Sequence, residues 1–299
     1  MNCTTLDLVL DRAGETVYLT PLFDAHTDSP DADLNKLRRV LDERSRLGKH
    51  VILSGGDLFN AILPGDVKRY RPTENHPEVS ARDDMIDEIV RRQHKLLGRH
   101  PFILLGQGNH EQSTLNHHLT DLTARLADTM KLPSWVHNWD DNGVMPRGGY
   151  SGFLRLRFWD KSRWRDNKQR SGPRTSIDIA YHHGRWCGQN KGMIGAERWA
   201  KTMTGARLFL YGHNHQCLAT PFVSNRMSAA GNLHEETSYL VACGTFMRSS
   251  VPGRTTYSEI GAHQPAYIGS PLIKLRAKEM DVKGKARAPT VDVSVTIGD

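Results

Sequence analysis

Seven side chains of metal-binding type recur at five points of the chain: Asp24 and His26, Asp57, Asn109, His182, and His213 with His215. Imidazole nitrogen and carboxylate or amide oxygen, with no thiolate among them, suit a divalent Mn, Fe, Zn or Mg ion rather than a soft metal. Seven donors exceed what one catalytic ion takes and match two ions sharing a carboxylate. Two such ions about 3.5–4 Å apart clamp the attacking and leaving oxygens of a phosphoryl displacement and make hydroxide available near neutral pH. Asp57 is the natural shared group. Alone, a Gly-Asp or a Gly-His-x-His is more often a turn than a metal site; the ordered set reverses that balance.

Each donor follows an apolar run that reads as a buried strand. The runs are 18–23 before Asp24, 50–54 before Gly55-Gly56-Asp57, 102–105 before Asn109-His110-Glu111, 177–181 before His182-His183-Gly184, and 208–211 before Gly212-His213-Asn214-His215. In open α/β sheets ligands gather at the carboxyl ends of strands. Between them the spacing predicts helices over 33–47, 80–97 (Ser80 with Asp83 as a capping box), 116–131 and 196–203. A hairpin is expected from 153–159 out and 175–181 back. Further strands fall at 6–10, 239–245, 271–276 and 291–297. A βαβα front half thus precedes a strand-rich back half. With no repeat and no clear linker, residues 1–299 read as one α/β domain, with a motif core over about 18–215 and a strand-rich part over 216–299.

Asp-x-His, Gly-Asp, Gly-Asn-His-Glu, His-x-Gly and Gly-His-x-His, in this order, resemble the calcineurin-like metallophosphoesterases, over about two-thirds of the chain. The resemblance implies two facing β-sheets flanked by helices, a four-layer α/β/β/α sandwich with metals at the strand ends. It also implies that Asp24, His26, Asp57 and His215 hold one metal and that Asp57, Asn109, His182 and His213 hold the other. His182 is preferred to His183 because the family's ligand stands two places before the Gly, here Gly184. His110 would act beside the substrate, polarising a phosphate oxygen or protonating the leaving group, with Asn109 also touching the phosphate. The reaction implied is phosphoester hydrolysis by a metal-bound hydroxide, with manganese the first choice of metal. The protein phosphatases of this family carry a second Asp three places after the first; here that place is Asn60, which argues against a phosphoprotein substrate and leaves the partner that orients His110 open. Gly-Asp-Leu-Phe and His-x-Gly instead resemble the SbcD-type DNA repair nucleases.

The chain has 299 residues, 38% of them apolar, and a net charge of +7. Its mean hydropathy of −0.54 marks a polar protein, and no run is long enough for a membrane span. No export signal is recognisable, so a cytoplasmic setting with reduced thiols at Cys3, Cys187, Cys217 and Cys243 is expected. Most of the positive balance lies between 153 and 174, where eight basic residues face two acidic ones with Phe158, Trp159 and Trp164 interleaved. That is a footprint of single-stranded nucleic-acid binding, although it enters a strand whose opposite end carries His182, roughly 20–25 Å away. Lys68, Arg69 and Arg71 follow Asp57 and are the better substrate-facing cations. A phosphodiester in DNA, RNA or a nucleotide is the leading substrate; a phosphomonoesterase acting on small metabolites or phosphoprotein, or a nucleic-acid- or protein-binding module with structural metals, are the alternatives. Oligomeric state stays open.

Overall fold

The structure, a computed structural model, describes residues 2–71, 84–138, 143–162, 164, 175–185, 189–203, 205–227, 231, 233–282 and 285–298. In chain order the elements are β1 (Asn2–Leu10), β2 (Thr16–Leu22), α1 (Leu34–Ser45), β3 (Lys49–Ser54), α2 (Met85–Leu97), β4 (Phe102–Leu105), α3 (Asn109–His118), α4 (Leu122–Ala127), β5 (Val136–Asn138), β6 (Ser151–Asp160), β7 (Thr175–His182), α5 (Gln189–Thr202), β8 (Leu208–Tyr211), β9 (Cys217–Met227), β10 (Leu233–Cys243), α6 (Tyr257–Ile260), β11 (Leu272–Val282) and β12 (Lys285–Thr296).

The strands form two mixed sheets, one ordered β5-β1-β6-β7-β8-β10-β9 and the other β12-β11-β2-β3-β4. β2, β3 and β4 run parallel, as do β7, β8 and β10. Residues one apart on a strand face opposite ways, and this alternation divides most of the apolar side chains between layers. Leu19, Val51 and Leu53 meet Leu154, Leu156, Ile177, Ile179, Leu208 and Leu210 in the core between the sheets. The intervening Leu22, Ile52 and Phe102 turn outward onto Leu37 and Leu41 of α1, Ile89 of α2 and Leu122 and Leu126 of α4. On the far side Ala180, Phe209 and Tyr211 pack under Ala196, Trp199 and Ala200 of α5. The layers are therefore helix, sheet, sheet, helix, the sandwich expected from the motifs. Each fully buried Leu or Ile contributes roughly 1.5–3 kcal/mol.

Three features go beyond the expectations from sequence. β1 and β2 are neighbours in sequence but belong to different sheets, and β11 comes back to pair antiparallel with β2. The single helix expected over 116–131 is two: α3 starts at Asn109 and stops where Leu119 takes a left-handed conformation (φ 52), and Asp121 caps α4 by accepting from the Ala124 N–H at 2.9 Å. Strands β5 and β9 were not anticipated. The Ser80–Asp83 capping box falls outside the described residues. Among the described residues no helix is long and apolar enough to cross a membrane.

Candidate metal centre

The carboxyl ends of β2, β3, β4, β7 and β8 open at one edge of the sandwich, and the turns that leave them bring the predicted donors together. Asp24, Asp57, His183 and His213 form one group whose ligand atoms lie within 4.8 Å of one another; Asp24, His26 and His215 form a second; His26, Asp57 and His110 form a third. The Asp57 Oδ2 stands 3.2 Å from His183 Nε2 and 3.9 Å from both His26 Nε2 and His110 Nε2. Asp24 Oδ1 stands 3.6 Å from His215 Nε2 and 4.0 Å from His26 Nε2 and His183 Nε2. Asn109, the first residue of α3, points its Oδ1 to within 3.1 Å of His183 Nε2.

Such convergence takes an unusual backbone. Asp24, His26, Asp57, His213 and His215 all have positive φ, between 42 and 68 degrees. The left-handed region costs an L-residue roughly 1–2 kcal/mol, least for Asp, Asn and His. Strain of this kind persists where the surroundings over-determine it, and it clusters at functional sites. Two glycines admit the close approach: a Cβ on Gly108 would lie 2.1 Å from Asp57 Oδ1, and one on Gly184 would lie 2.5 Å from the Gly212 carbonyl oxygen.

The structure brings His183 rather than His182 into the donor group. His183 occupies the place given to His182, and the reason is the alternation of β7. Ile177, Ile179 and Tyr181 face the inter-sheet core, so His183 continues that face toward the donors. His182 shares the opposite face with Ala180 and stacks on Tyr211 (ring centroids 5.7 Å apart) beside Trp199, while its Nδ1 accepts from the Gly184 N–H at 2.8 Å. Counting parity from Ile177 would have found this.

The donor set fits divalent cations. Asp24 is fully buried and its Oδ1 has no hydrogen-bond partner among the described residues; the same is true of the Nδ1 atoms of His26 and His183. In the protein alone, protons do the work of countercharge. Burial, helped by the charge of Asp57, pushes the Asp24 carboxyl up to about 8 against the pull of His183. Burial opposes charge on His183, yet Asp57 and Asp24 outweigh it and raise the imidazole to about 9. Burial also pushes Asp57 up, but His183 and His110 prevail and hold it well below the usual carboxylate range. Burial keeps three imidazoles neutral, as ligands must be: it lowers His213 to about 4 and His215 to about 3, and with help from His110 it holds His26 well below its usual value. The proton on His183 balances part of this buried negative charge, and divalent cations held by the carboxylates and the neutral imidazoles would take its place.

No family model and no curated protein matches the sequence. Among solved structures the fold is similar to the calcineurin-like phosphoesterase YfkN from Bacillus subtilis (12% identity, TM-score 0.35, covering 94% of this chain and 90% of that one). It is also similar to Vps29 from Chaetomium thermophilum (10% identity, TM-score 0.32, 95% and 96%) and to a hypothetical protein from Thermus thermophilus (11%, 0.31, 94% and 99%). Likeness at this level lends no weight to the site, which stands on its own residues.

The supports of the site were not singled out from sequence. Glu111 in the first turn of α3 accepts from the N–H groups of Gly108 (2.7 Å), Asp57 (2.9 Å) and Phe59 (3.2 Å), so one buried carboxylate fixes the loops that deliver Asp57 and Asn109. Asp57 Oδ1 in turn accepts from the His110 N–H at 2.9 Å, a carboxylate at a helix N-terminus. His110 turns Nδ1 to the backbone carbonyl of Asn60. Asp28 holds that loop from behind by accepting from the N–H groups of Asn60 (2.6 Å) and Ala61 (2.8 Å). The orienting partner missing from the sequence is thus a main-chain oxygen. Thr245 Oγ1 donates to the Asp24 carbonyl at 2.8 Å. The Glu in Asn109-His110-Glu111 was a legible capping signal; Asp28 and Thr245 had none.

Arg69 lines the cleft in front of the donors together with His26, Asp57, Asn109 and His110, whereas Lys68 and Arg71 are not among its lining residues. Arg69 donates through Nε to Asp66 at 2.6 Å. The basic hairpin is partly neutralised: Arg155 pairs with Asp178, Arg157 with the buried Asp7, and Lys161 with Asp11. Arg163, Arg165, Lys168, Arg170 and Arg174 lie outside the described residues, as does Cys187.

Proposed function

We propose that the protein is a dinuclear metal-dependent phosphoesterase that hydrolyses phosphodiesters, with a nucleotide or nucleic acid as the substrate class. The observation that carries the reading is the membership of Asp57, a buried carboxylate, in two donor groups, one with Asp24, His183 and His213 and one with His26 and His110. Asp24, His26, His215 and Asp57 would hold one cation; Asp57, Asn109, His183 and His213 would hold the second, and manganese is the metal to try first. Bound divalent cations supply Lewis acidity toward a phosphoryl oxygen and a water that ionises near neutral pH.

The chain's own groups do the rest. With Nδ1–H donating to the Asn60 carbonyl, His110 is left with Nε2 at the mouth of the cluster. Protonated there, it can donate to a non-bridging oxygen or to the departing alkoxide. The Asn109 amide, fixed at the start of α3, can donate to the phosphate from its nitrogen. Among the described residues lining the cleft, Arg69 is the one Lys or Arg, and it already faces Asp66. A diester carries a single negative charge, whereas a monoester approaches two near neutral pH, so this sparse cationic lining favours the diester.

The deciding measurement is turnover by the manganese-loaded protein of bis(4-nitrophenyl) phosphate, 4-nitrophenyl phosphate, and single- and double-stranded DNA. His213→Ala and Asn109→Ala serve as controls. Diester turnover lost in both variants is the expected result. Turnover of the monoester alone would overturn the diester assignment, and turnover surviving in both variants would remove the mechanism.

A further inference from the structure

Part of the lining of the cleft that holds the metal donors is aromatic. Tyr257, the first residue of α6, and His263, just beyond it, line the same cleft as His26, Asp57 and His110. Their rings lie 5.4 Å apart, inclined by 36 degrees. Tyr257 is 52% exposed, and the neighbouring Ile260 and Tyr267 are 70% and 38% exposed. An aromatic ring left half in water beside a charged cluster forgoes burial that a core position would give it.

This wall is built, not loose. Thr256 Oγ1 donates to the Ser249 carbonyl at 2.6 Å, and the Thr256 N–H donates to Glu259 Oε2 at 2.7 Å. The His263 N–H donates to the Ser258 carbonyl at 2.9 Å, and the Ala266 N–H to Ser249 Oγ at 3.1 Å. Upstream, Arg254 Nε lies 3.1 Å from Asp31 Oδ1, and the Arg248 N–H donates to the Asp31 carbonyl at 3.0 Å. Those contacts tie the wall to the loop that leaves Asp24. The aromatic face is therefore held at a fixed position relative to the donors, and an ordered platform loses little freedom when a ring settles on it.

We propose that Tyr257, with His263 beside it, is a stacking subsite for an unpaired nucleobase attached to the phosphodiester being cleaved. The proposal rests on the phosphodiesterase reading and narrows it to nucleoside esters and single strands. Base–aromatic stacking tolerates any base because every base has a flat face, and a base inside a duplex has both faces covered and cannot use the site. Tyr257 is a specificity residue: it touches the substrate away from phosphorus and binds ground and transition states alike, so its loss shows in KM rather than kcat.

The test compares two esters with the same leaving group, thymidine 5′-(4-nitrophenyl phosphate) and methyl 4-nitrophenyl phosphate, on the manganese-loaded full chain. Tyr257→Ala is expected to lower kcat/KM for the thymidine ester about 5- to 150-fold, through KM, and to leave the methyl ester unchanged. Tyr257→Phe keeps the ring and is expected to restore the difference. Equal losses on both esters, or no loss on either, would overturn the subsite. If the wild type turns over neither ester, the phosphodiesterase reading fails, and the subsite is then judged by calorimetric binding of thymidine 5′-monophosphate. Affinity lower in Tyr257→Ala sustains it, and equal affinity removes it.

Discussion

Because Asp57 serves two donor groups, replacing it and replacing a one-sided ligand should change metal-linked stability by different amounts. A ligand present at 100 times its Kd stabilises the folded state by about 2.7 kcal/mol, so two filled sites contribute about 5.4 kcal/mol. Unfolding entropy near 60 °C is about 2.1 cal/mol/K per residue; over 299 residues that is about 0.63 kcal/mol/K. Saturating Mn²⁺ is therefore expected to raise the Tm of the wild type by about 8–9 °C over the EDTA-treated protein. His215→Ala removes a ligand from the Asp24–His26 side only and leaves Asp24, Asp57, His183 and His213 in place; about half the shift, near 4 °C, should survive. Asp57→Asn keeps an Oδ1 acceptor for the His110 N–H, so the fold is retained, but it removes the shared charge, and the shift should fall below about 2 °C. Differential scanning fluorimetry across a Mn²⁺ titration, with bound metal counted by atomic emission, reads both quantities. An Asp57→Asn protein that still binds two ions with the full shift would refute the shared-carboxylate reasoning.

Three further outcomes follow from the geometry. His183→Ala should lose one bound metal and at least 100-fold in diester turnover, the scale of a lost electrostatic element, while His182→Phe, which keeps a flat ring against Tyr211, should stay within about threefold of wild type; the reverse order would reinstate His182 as the ligand. Glu111→Gln keeps one acceptor oxygen but turns an amide NH₂ toward one or two of the three N–H groups, which donate to Oε2 (Gly108, Asp57) and Oε1 (Phe59), and should destabilise the protein by about 1–3 kcal/mol in urea unfolding, the cost of buried donors left unsatisfied; a change under about 0.5 kcal/mol would show that the loops hold themselves. His50, 2% exposed and bonded to Thr20 Oγ1 at 2.9 Å, is held neutral down to about 3 by burial, with Arg44 and His100 adding to it. Its unfolded value is about 6.5, so its contribution is intact above that pH and is lost as pH falls toward 3, by up to about 1.4 kcal/mol per unit; unfolding at pH 7 and pH 5 should show a shallower loss in His50→Gln, and parallel losses would contradict it.

Strands and most of the donors were legible in the amino-acid order, because these depend on local signals, while the four layers were implied by the resemblance that the ordered motifs carry. Val51, Leu53, Ile177 and Ile179 alternate with residues of the other face, and each run stops in a turn carrying Asp, Asn or His. The parity that would have separated His183 from His182 was also present in those runs. Other features were set by long-range contact and became visible in three dimensions alone. β1 joins its sheet through β5 and β6, both more than a hundred residues away, whereas β2 pairs with the nearby β3 on one side and with the distant β11 on the other. The break at Leu119 wins over a helical apolar pattern because Asp121 caps a second helix there. His110 is oriented by a carbonyl that Asp28 holds from the opposite side of the loop, and main-chain oxygens leave no trace in residue types. The aromatic wall at Tyr257 and His263 reaches the metal donors only because Arg254 and Arg248 anchor it to the loop after Asp24, a contact across more than two hundred residues that no local pattern encodes.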